Sequence, residues 1–493
     1  MFNKLISIFT QIINIFFLLL INRFFYQEFG IFFLGLYNAA VILTQFILIF
    51  SDFGLTAGIT HQIAKYRVSN PNYVIKLAQS VFFISIIFFL FFIFFLGYFL
   101  QNPILLSFLD IKSLDDYLII YFLIIGMLIS IPRNVLGSIL MGYNLPHIWS
   151  YLNLFANFIN LLGLIITLNY GLSSYTVGYV YIGTNVISLL IFAFFIILYT
   201  NYSILIAKFY FKSVSGIFDF SLKIYFGSLI SFFSSFIDRI LVLTLISINY
   251  LGIYSVIHSV SQKIEIVGSS IATTIFPELT SNINDSKKKF ATNSKSWLVF
   301  NNFVSLNVGI LIFCLSDYIY YFVFNEMPGS QTKIIFLIII LSYIAKSFCN
   351  LIIWIISSFN KPEVQIYYGI ISSISYILII LFFYNNLKIE MIALSFLFSN
   401  LISLIFLAIF LKKILNSIDF FNIYKKFGTF SLCSVIYLIF SYSFFNYFSE
   451  SMFNGAFVYV SYFLFLSIIF FKTNLLKYYK DNKIIKFILM KFE

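Results

Sequence analysis

Apolar residues run along this chain in blocks far longer than a soluble helix or strand needs. Residues 77–109, 427–449 and 451–471 contain no Asp, Glu, Lys or Arg. Each block can cross a hydrocarbon core, which takes roughly 20 residues as a helix. The longest charge-free run, 134–207, has 74 residues and is too long for one helix. Turn formers interrupt it at Asn144-Leu145-Pro146 and between Asn169 and Ser174, so it holds the end of one span and two more. Along the whole sequence the pattern predicts an all-α polytopic membrane protein of about fourteen helices. They fall at roughly 5–22, 31–59, 77–100, 117–141, 148–168, 175–199, 219–246, 252–277, 297–323, 334–358, 365–384, 391–411, 428–446 and 455–471.

Composition agrees with this reading. The 493 residues are 61% hydrophobic and 10% charged, whereas a soluble domain carries about 25% charged residues. The stretch from Met1-Phe2-Asn3-Lys4 to Ile21 has the outline of a signal peptide. It lacks a small-x-small cleavage site and carries Gln11 and Asn14, so it reads as a first span that lines a cavity. Cys314, Cys349 and Cys433 lie in apolar runs and are odd in number, which implies neither a disulfide framework nor a metal site. Nothing in the sequence calls for a cofactor.

The net charge of +12 is distributed as an orientation signal and gives no footprint for nucleic acid. With the N-terminus inside, the inner connections and both termini hold 21 of the 30 Lys and Arg residues, and the outer connections hold four: Arg23, Lys112, Lys333 and Lys388. The inner set includes Lys65, Arg67, Lys76, the run Lys287-Lys288-Lys289, the pairs Lys412-Lys413 and Lys425-Lys426, and six lysines after Phe471. This positive-inside pattern predicts that both termini are cytoplasmic. No hydrophilic segment suffices for a soluble domain, since the longest outer connection, 101–116, has 16 residues. The tail after Phe471 alternates lysines with Ile484, Ile485, Phe487 and Ile488, the pattern of a basic helix lying on the inner leaflet.

Two turns repeat. Glu28-Phe29-Gly30-Ile31-Phe32 matches Tyr250-Leu251-Gly252-Ile253-Tyr254 at an offset of 222, and Tyr143-Asn144-Leu145-Pro146 matches Phe359-Asn360-Lys361-Pro362 at 216. Both offsets correspond to six spans, an even number, so the halves share one orientation and form a parallel repeat. The predicted division is a six-helix lobe at 1–215, a second at 216–415, and two further helices with a basic tail at 416–493.

At these residues the chain resembles the bacterial polysaccharide-repeat-unit (O-antigen) flippases of the multidrug/oligosaccharidyl-lipid/polysaccharide exporter superfamily. Four features carry the resemblance, in order and span context: Arg23 with Glu28-Phe29-Gly30; Asp52-Phe53-Gly54-Leu55; Asp238-Arg239; and Gly252-Ile253-Tyr254 followed by Phe276-Pro277-Glu278-Leu279. The chain departs from the family pattern after Arg23, where Phe25-Tyr26-Gln27 replaces the usual Leu-Gly and the segment is one residue shorter. The resemblance implies a non-enzymatic flippase of the bacterial inner membrane, acting in O-antigen or lipopolysaccharide assembly. Its implied cargo is an undecaprenyl-pyrophosphate-linked oligosaccharide, carried through a central cavity between two lobes. Other polysaccharide-assembly membrane proteins are its implied partners.

Ionisable residues inside spans are the candidate site, because each costs roughly 2.5–3.5 kcal/mol at the bilayer centre. Arg133, Arg239, Lys263 and Lys346 are the candidate ligands of the anionic cargo. Asp52, Asp238, His258 and Glu265 are candidates for restraining those cations or carrying a coupling proton. Asp238 and Arg239 are adjacent and Lys263 and Glu265 are two apart, spacings that do not meet on a helix surface. The bland reading makes all of them interhelical ion pairs and nothing more. His258, Gln262 and Glu265 share one helix face, which reads first as a polar helix interface. Pro132 beside Arg133 predicts a break in the fourth span. Two other functions compete. A polymerase or glycosyltransferase needs catalytic groups on a substantial loop, which this chain lacks. A multidrug exporter needs an acidic cavity, which the basic excess disfavours.

Overall fold

The computed structural model describes residues 2–99, 111, 113–169, 174–285, 287–359, 361 and 363–414, with backbone alone for 2–12 and for much of 270–299. The two last predicted spans, the basic tail and the 416–493 segment lie outside the described residues. The described residues form fourteen α-helices and no strand. In chain order they are α1 (Phe2–Asp52), α2 (Leu55–Tyr66), α3 (Pro71–Phe99), α4 (Leu114–Leu128), α5 (Ser130–Gly142), α6 (Pro146–Asn169) and α7 (Ser174–Tyr199). The remainder are α8 (Phe211–Leu241), α9 (Ile248–Asp285), α10 (Lys287–Cys314), α11 (Ser316–Phe324), α12 (Ser330–Ser357), α13 (Val364–Phe383) and α14 (Ile389–Ile414). Among the described residues nine helices are long and apolar enough to cross a bilayer, or ten if the bent pair α10 and α11 is one span. The chain is a multi-pass membrane protein.

Helix α1 holds both of the first two predicted spans. Gly30 breaks it with φ 82° and ψ 179°, a backbone region essentially restricted to glycine. The rings of Phe25 and Tyr37 then stack with centroids 4.5 Å apart. A continuous helix would separate those residues by about 18 Å along its axis, at about 1.5 Å per residue, so the chain turns back on itself at Gly30.

The second span ends earlier than its hydropathy suggests. Phe53 (φ 45°) and Gly54 (φ 72°) are both left-handed, and α2 begins after them as a separate helix. The fourth span breaks where Pro132 predicts. Proline has no N–H for the Leu128 carbonyl and crowds it, so α4 stops at Leu128 and α5 starts at Ser130, with the Arg133 N–H to Ile129 oxygen contact stretched to 3.5 Å. The Asn144 turn also forms, with Asn144 at φ 66° and the Leu145 N–H on the Leu140 carbonyl at 3.0 Å. The two matched glycines differ in backbone: Gly30 sits at a reversal, while Gly252 lies inside α9, whose chain break is at the extended Ser247.

Two compact units divide the chain, Met1–Val256 and Ile257–Glu493. In the first, Leu55, Ile59 and Ile63 of α2 pack against Val74, Leu77 and Val81 of α3 and Val135, Leu136 and Ile139 of α5. Glycine permits this closeness at the end of α5, where a Cβ on Gly142 would meet the Ile63 Cβ at 2.7 Å. The far side of α3 exposes Leu90, Phe91, Phe94 and Phe95, the dress of a lipid-facing helix. In the second unit, Trp297 and Leu298 of α10, Ile352 and Ile356 of α12, Tyr368 of α13 and Leu407 and Leu411 of α14 form the core.

Candidate functional site

Arg133 follows the proline break, on the turn of α5 that the break reorients. Its Nη1 donates to Asn185 Oδ1 at 3.2 Å and to Ser188 Oγ at 3.1 Å, both on α7, and the guanidinium lies 6.0 Å from the centre of the Phe192 ring. The partners are fixed in turn. Asn185 Nδ2 donates to the Tyr181 carbonyl at 2.8 Å and to Asn160 Oδ1 at 3.3 Å, and Thr184 donates to the same Asn160 oxygen. The network is neutral apart from the arginine, and the Arg133 Nε–H is buried without an acceptor. Asn185, Ser188 and Asn160 were not legible as site residues in the sequence; their only signal was a polar side chain inside an apolar span.

Asp238 and Arg239 diverge, as adjacent residues on a helix must. Asp238 is fully buried and accepts from the Tyr254 hydroxyl at 3.2 Å. Arg239, 7% exposed, curls along its own helix, donating from Nη2 to the Ser235 carbonyl at 3.0 Å with its guanidinium 4.2 Å from the centre of the Phe236 ring. One turn on, residues Val242–Ile246 widen into a π-helical turn, a feature frequent at functional sites. Neither Arg133 nor Arg239 has a carboxylate partner among the described residues.

Asp52 takes a structural post at the mouth of α2. Its Oδ1 accepts the Thr56 N–H and its Oδ2 the Thr56 hydroxyl, each at 3.0 Å, which satisfies a donor that the first turn of a helix leaves open. The same carboxylate lines a cavity of about 360 Å³ within the first unit, together with Gln45, Asn134, Trp149 and Tyr225. Arg133 is not in its wall; its neighbour Asn134 is.

The second unit gathers three of the predicted residues. Lys346 of α12 lies 3.1 Å from Glu265 of α9, and Asn350 donates to the other oxygen of that carboxylate at 3.0 Å. The Lys346 ammonium also lies 5.6 Å from the centre of the Tyr343 ring, whose hydroxyl is 3.1 Å from His258 Nδ1. His258 is fully buried, wedged between Tyr343 and Phe396. Lys263 is half-buried on α9 and makes no ion pair or hydrogen bond among the described residues. Lys346, Glu265 and His258 are thus one cluster, and Tyr343 and Asn350 are members that charge-based reasoning overlooked.

Comparison with known proteins supplies the family. A family model described as polysaccharide biosynthesis protein matches residues 2–283. No curated sequence matches the chain. Among solved structures, "Lipid II flippase MurJ, inward closed conformation" is similar with a TM-score of 0.68 and 18% identity, over 96% of this chain and 99% of that one. An inward-facing multidrug resistance MATE family transporter gives 0.68 and 13%, over 82% and 95%. A MOP superfamily transporter from Pyrococcus furiosus, noted for a binding pocket of reverse polarity, gives 0.62 and 13%, over 84% and 94%. These likenesses establish the fold.

Proposed function

The chain belongs to the polysaccharide biosynthesis protein family, and from that premise we propose that it is a flippase. It carries an undecaprenyl-pyrophosphate-linked oligosaccharide repeat unit from the cytoplasmic to the outer leaflet of the bacterial inner membrane by alternating access. One observation carries the reading: Arg133 and Arg239 sit within membrane-spanning helices with no carboxylate partner among the described residues. An isolated cation there is costly, and such residues mark substrate pathways. A pyrophosphate supplies the missing negative charge, and guanidinium groups suit it because they donate in a planar fork. Lys263 adds a third cation without an acidic partner. Lys346 is held by Glu265 and becomes available only when that pair opens. A lipid II flippase is among the proteins of similar fold.

Reconstitution tests this. Proteoliposomes containing the protein and a lipid-linked glycan on one leaflet are expected to expose it on the other. Arg133→Ala and Arg239→Ala are each expected to slow exposure at least tenfold, about 1.4 kcal/mol, while inserting normally. Wild-type protein that moves no lipid-linked glycan, or both variants flipping at the wild-type rate, overturns the reading. In cells, deletion is expected to leave lipid-linked glycan on the cytoplasmic leaflet, whereas loss of a polymerase leaves single units already exported.

Orientation gives a second expected outcome. Reporter fusions after Lys289 and Lys413 are expected to read cytoplasmic, and fusions near Asp115 and Glu326 external. A cytoplasmic readout near Asp115 refutes the proposed topology of the first half.

A further inference from the structure

The cavity of the first unit differs in chemistry from the arginine sites. Gln45 and Asn134 lie inside membrane-spanning segments yet are exposed, and neither side chain hydrogen-bonds within the described residues. Facing lipid, an amide would leave its polar groups unsatisfied at several kcal/mol. Both instead line the cavity of about 360 Å³, which puts them in water.

Asp52 is the one charged residue among the described lining. Four of the hydroxyl protons around it are already committed. Ser51 donates to the Leu48 carbonyl at 2.9 Å, Ser85 to Phe82 at 2.7 Å, Ser138 to Asn134 at 2.9 Å, and Thr56 to Asp52 itself. What these four groups offer to an occupant is therefore oxygen lone pairs, and the amides of Gln45 and Asn134 with the hydroxyls of Tyr225 and Ser228 supply the donors. With the Asp52 carboxylate as its one charge, this wall repels phosphate and accepts a neutral group rich in hydroxyls, which both donate and accept. Trp149 and Tyr225 add aromatic surface, and the Tyr225 ring is held at 4.9 Å from Phe53 in a stack. The volume falls in the range of small-molecule sites, about 300–1,000 Å³, and exceeds what a bare cation needs. Asp52 already accepts two hydrogen bonds from Thr56, which also argues against a metal ion as occupant.

We infer that this cavity is a sugar subsite: it takes one pyranose ring of the cargo glycan, with Asp52, Gln45 and Asn134 reading the hydroxyls. The inference rests on the flippase reading and deepens it, separating recognition of the sugar from recognition of the phosphates. It makes these residues determinants of which glycan is carried.

Trp149 is the reporter. The chain has three tryptophans, so the full-length W297F/W354F protein in detergent emits from the cavity alone. Titration with glucose, galactose, N-acetylglucosamine and N-acetylgalactosamine is expected to give a saturable change with at least one of them, in the range of about 1 mM. Gln45→Leu and Asn134→Leu, which break no hydrogen bond in the fold, are each expected to weaken it at least fivefold. Asp52→Asn is expected to weaken it about tenfold, consistent with loss of one charge-assisted hydrogen bond. A flat response to every sugar, or a saturable response to sodium chloride or inorganic pyrophosphate in their place, overturns the inference. The flipping assay separates the two readings. Wild-type flipping together with unchanged glycan preference in Asn134→Leu refutes the sugar subsite and leaves the flippase standing. Absence of wild-type flipping refutes the flippase, while the Trp149 titration still decides whether the cavity binds sugar.

Discussion

Gly54→Ala is expected to deplete folded protein from the membrane, an effect as large as truncating a buried core side chain. Two costs coincide at this position. The backbone is left-handed at φ 72°, which costs an L-residue with a Cβ about 1–2 kcal/mol. The added Cβ would also collide with the Ser221 carbonyl oxygen of α8. The obstacle is main chain and cannot rotate away, so α2 and α8 must separate, at about 1–3 kcal/mol for overpacking. A Cβ on Gly58, one turn on, would likewise run into the Ser221 hydroxyl, so α2 approaches α8 closely at two successive turns. The measurement is the monodisperse fraction in detergent and its thermal midpoint, with Gly183→Ala as control. Gly183 is helical, and a Cβ there would have no atom within 4 Å, so alanine is expected to be neutral or stabilising by up to about 1 kcal/mol. Equal midpoints for the two variants would show that α2 and α8 do not pack as described.

Lys346→Met is the second large effect, and a double-mutant cycle reveals its origin. The side chains of Lys346 and Glu265 are 5% and 18% exposed and stand 3.1 Å apart. Removing one member of a buried pair strands the other charge, typically at about 3–5 kcal/mol, whereas replacing both by well-packed neutral groups is often close to neutral. Lys346→Met alone is therefore expected to lower the thermal midpoint sharply. Adding Glu265→Gln, which keeps an acceptor for Asn350, is expected to recover most of the loss, with a coupling above about 1 kcal/mol. A Lys346→Met protein with an unaltered midpoint but no flipping would mean that this lysine serves the cargo and not the pair.

Long elements were readable because their signal is local. A block without charge has one stable answer in a bilayer, and Pro132 and the Asn144-Leu145-Pro146 turn act on their own backbone. Breaks without a proline were not readable. The second span was expected to run to residue 59, since Leu55, Thr56 and Ala57 continue its apolar run, yet the helix ends at Asp52. Phe53, with φ 45°, carries no turn signal of its own; the close seat of Gly54 on α8 imposes the conformation. The predicted ninth span is likewise two helices bent by 50° at Leu315, with neither proline nor glycine at the break. For the site, charge inside a span singled out Arg133, Arg239, Lys263 and Lys346 as candidates. Their neighbours stayed hidden because Asn and Ser are common throughout this sequence, and only packing distinguishes Asn185 and Ser188 on the guanidinium from their counterparts elsewhere.

The glycines that admit close helix approach also bear on how such a sequence can drift. Its abundance of Phe, Ile, Asn, Lys and Tyr is what A- and T-rich codons give, and a mutational pressure of that kind acts against glycine, whose codons begin with two guanines. Gly35, where a Cβ would collide with the Ile248 carbonyl, and Gly252, whose Cβ would lie 3.2 Å from the Gly35 nitrogen, are places where that pressure meets main-chain atoms. A lineage can exchange leucine for isoleucine or phenylalanine over most of the lipid-facing surface with little consequence. At Gly35 it must keep a guanine-rich codon or move a helix backbone, and at Gly252 it must keep one or shift a close neighbour by a few tenths of an ångström.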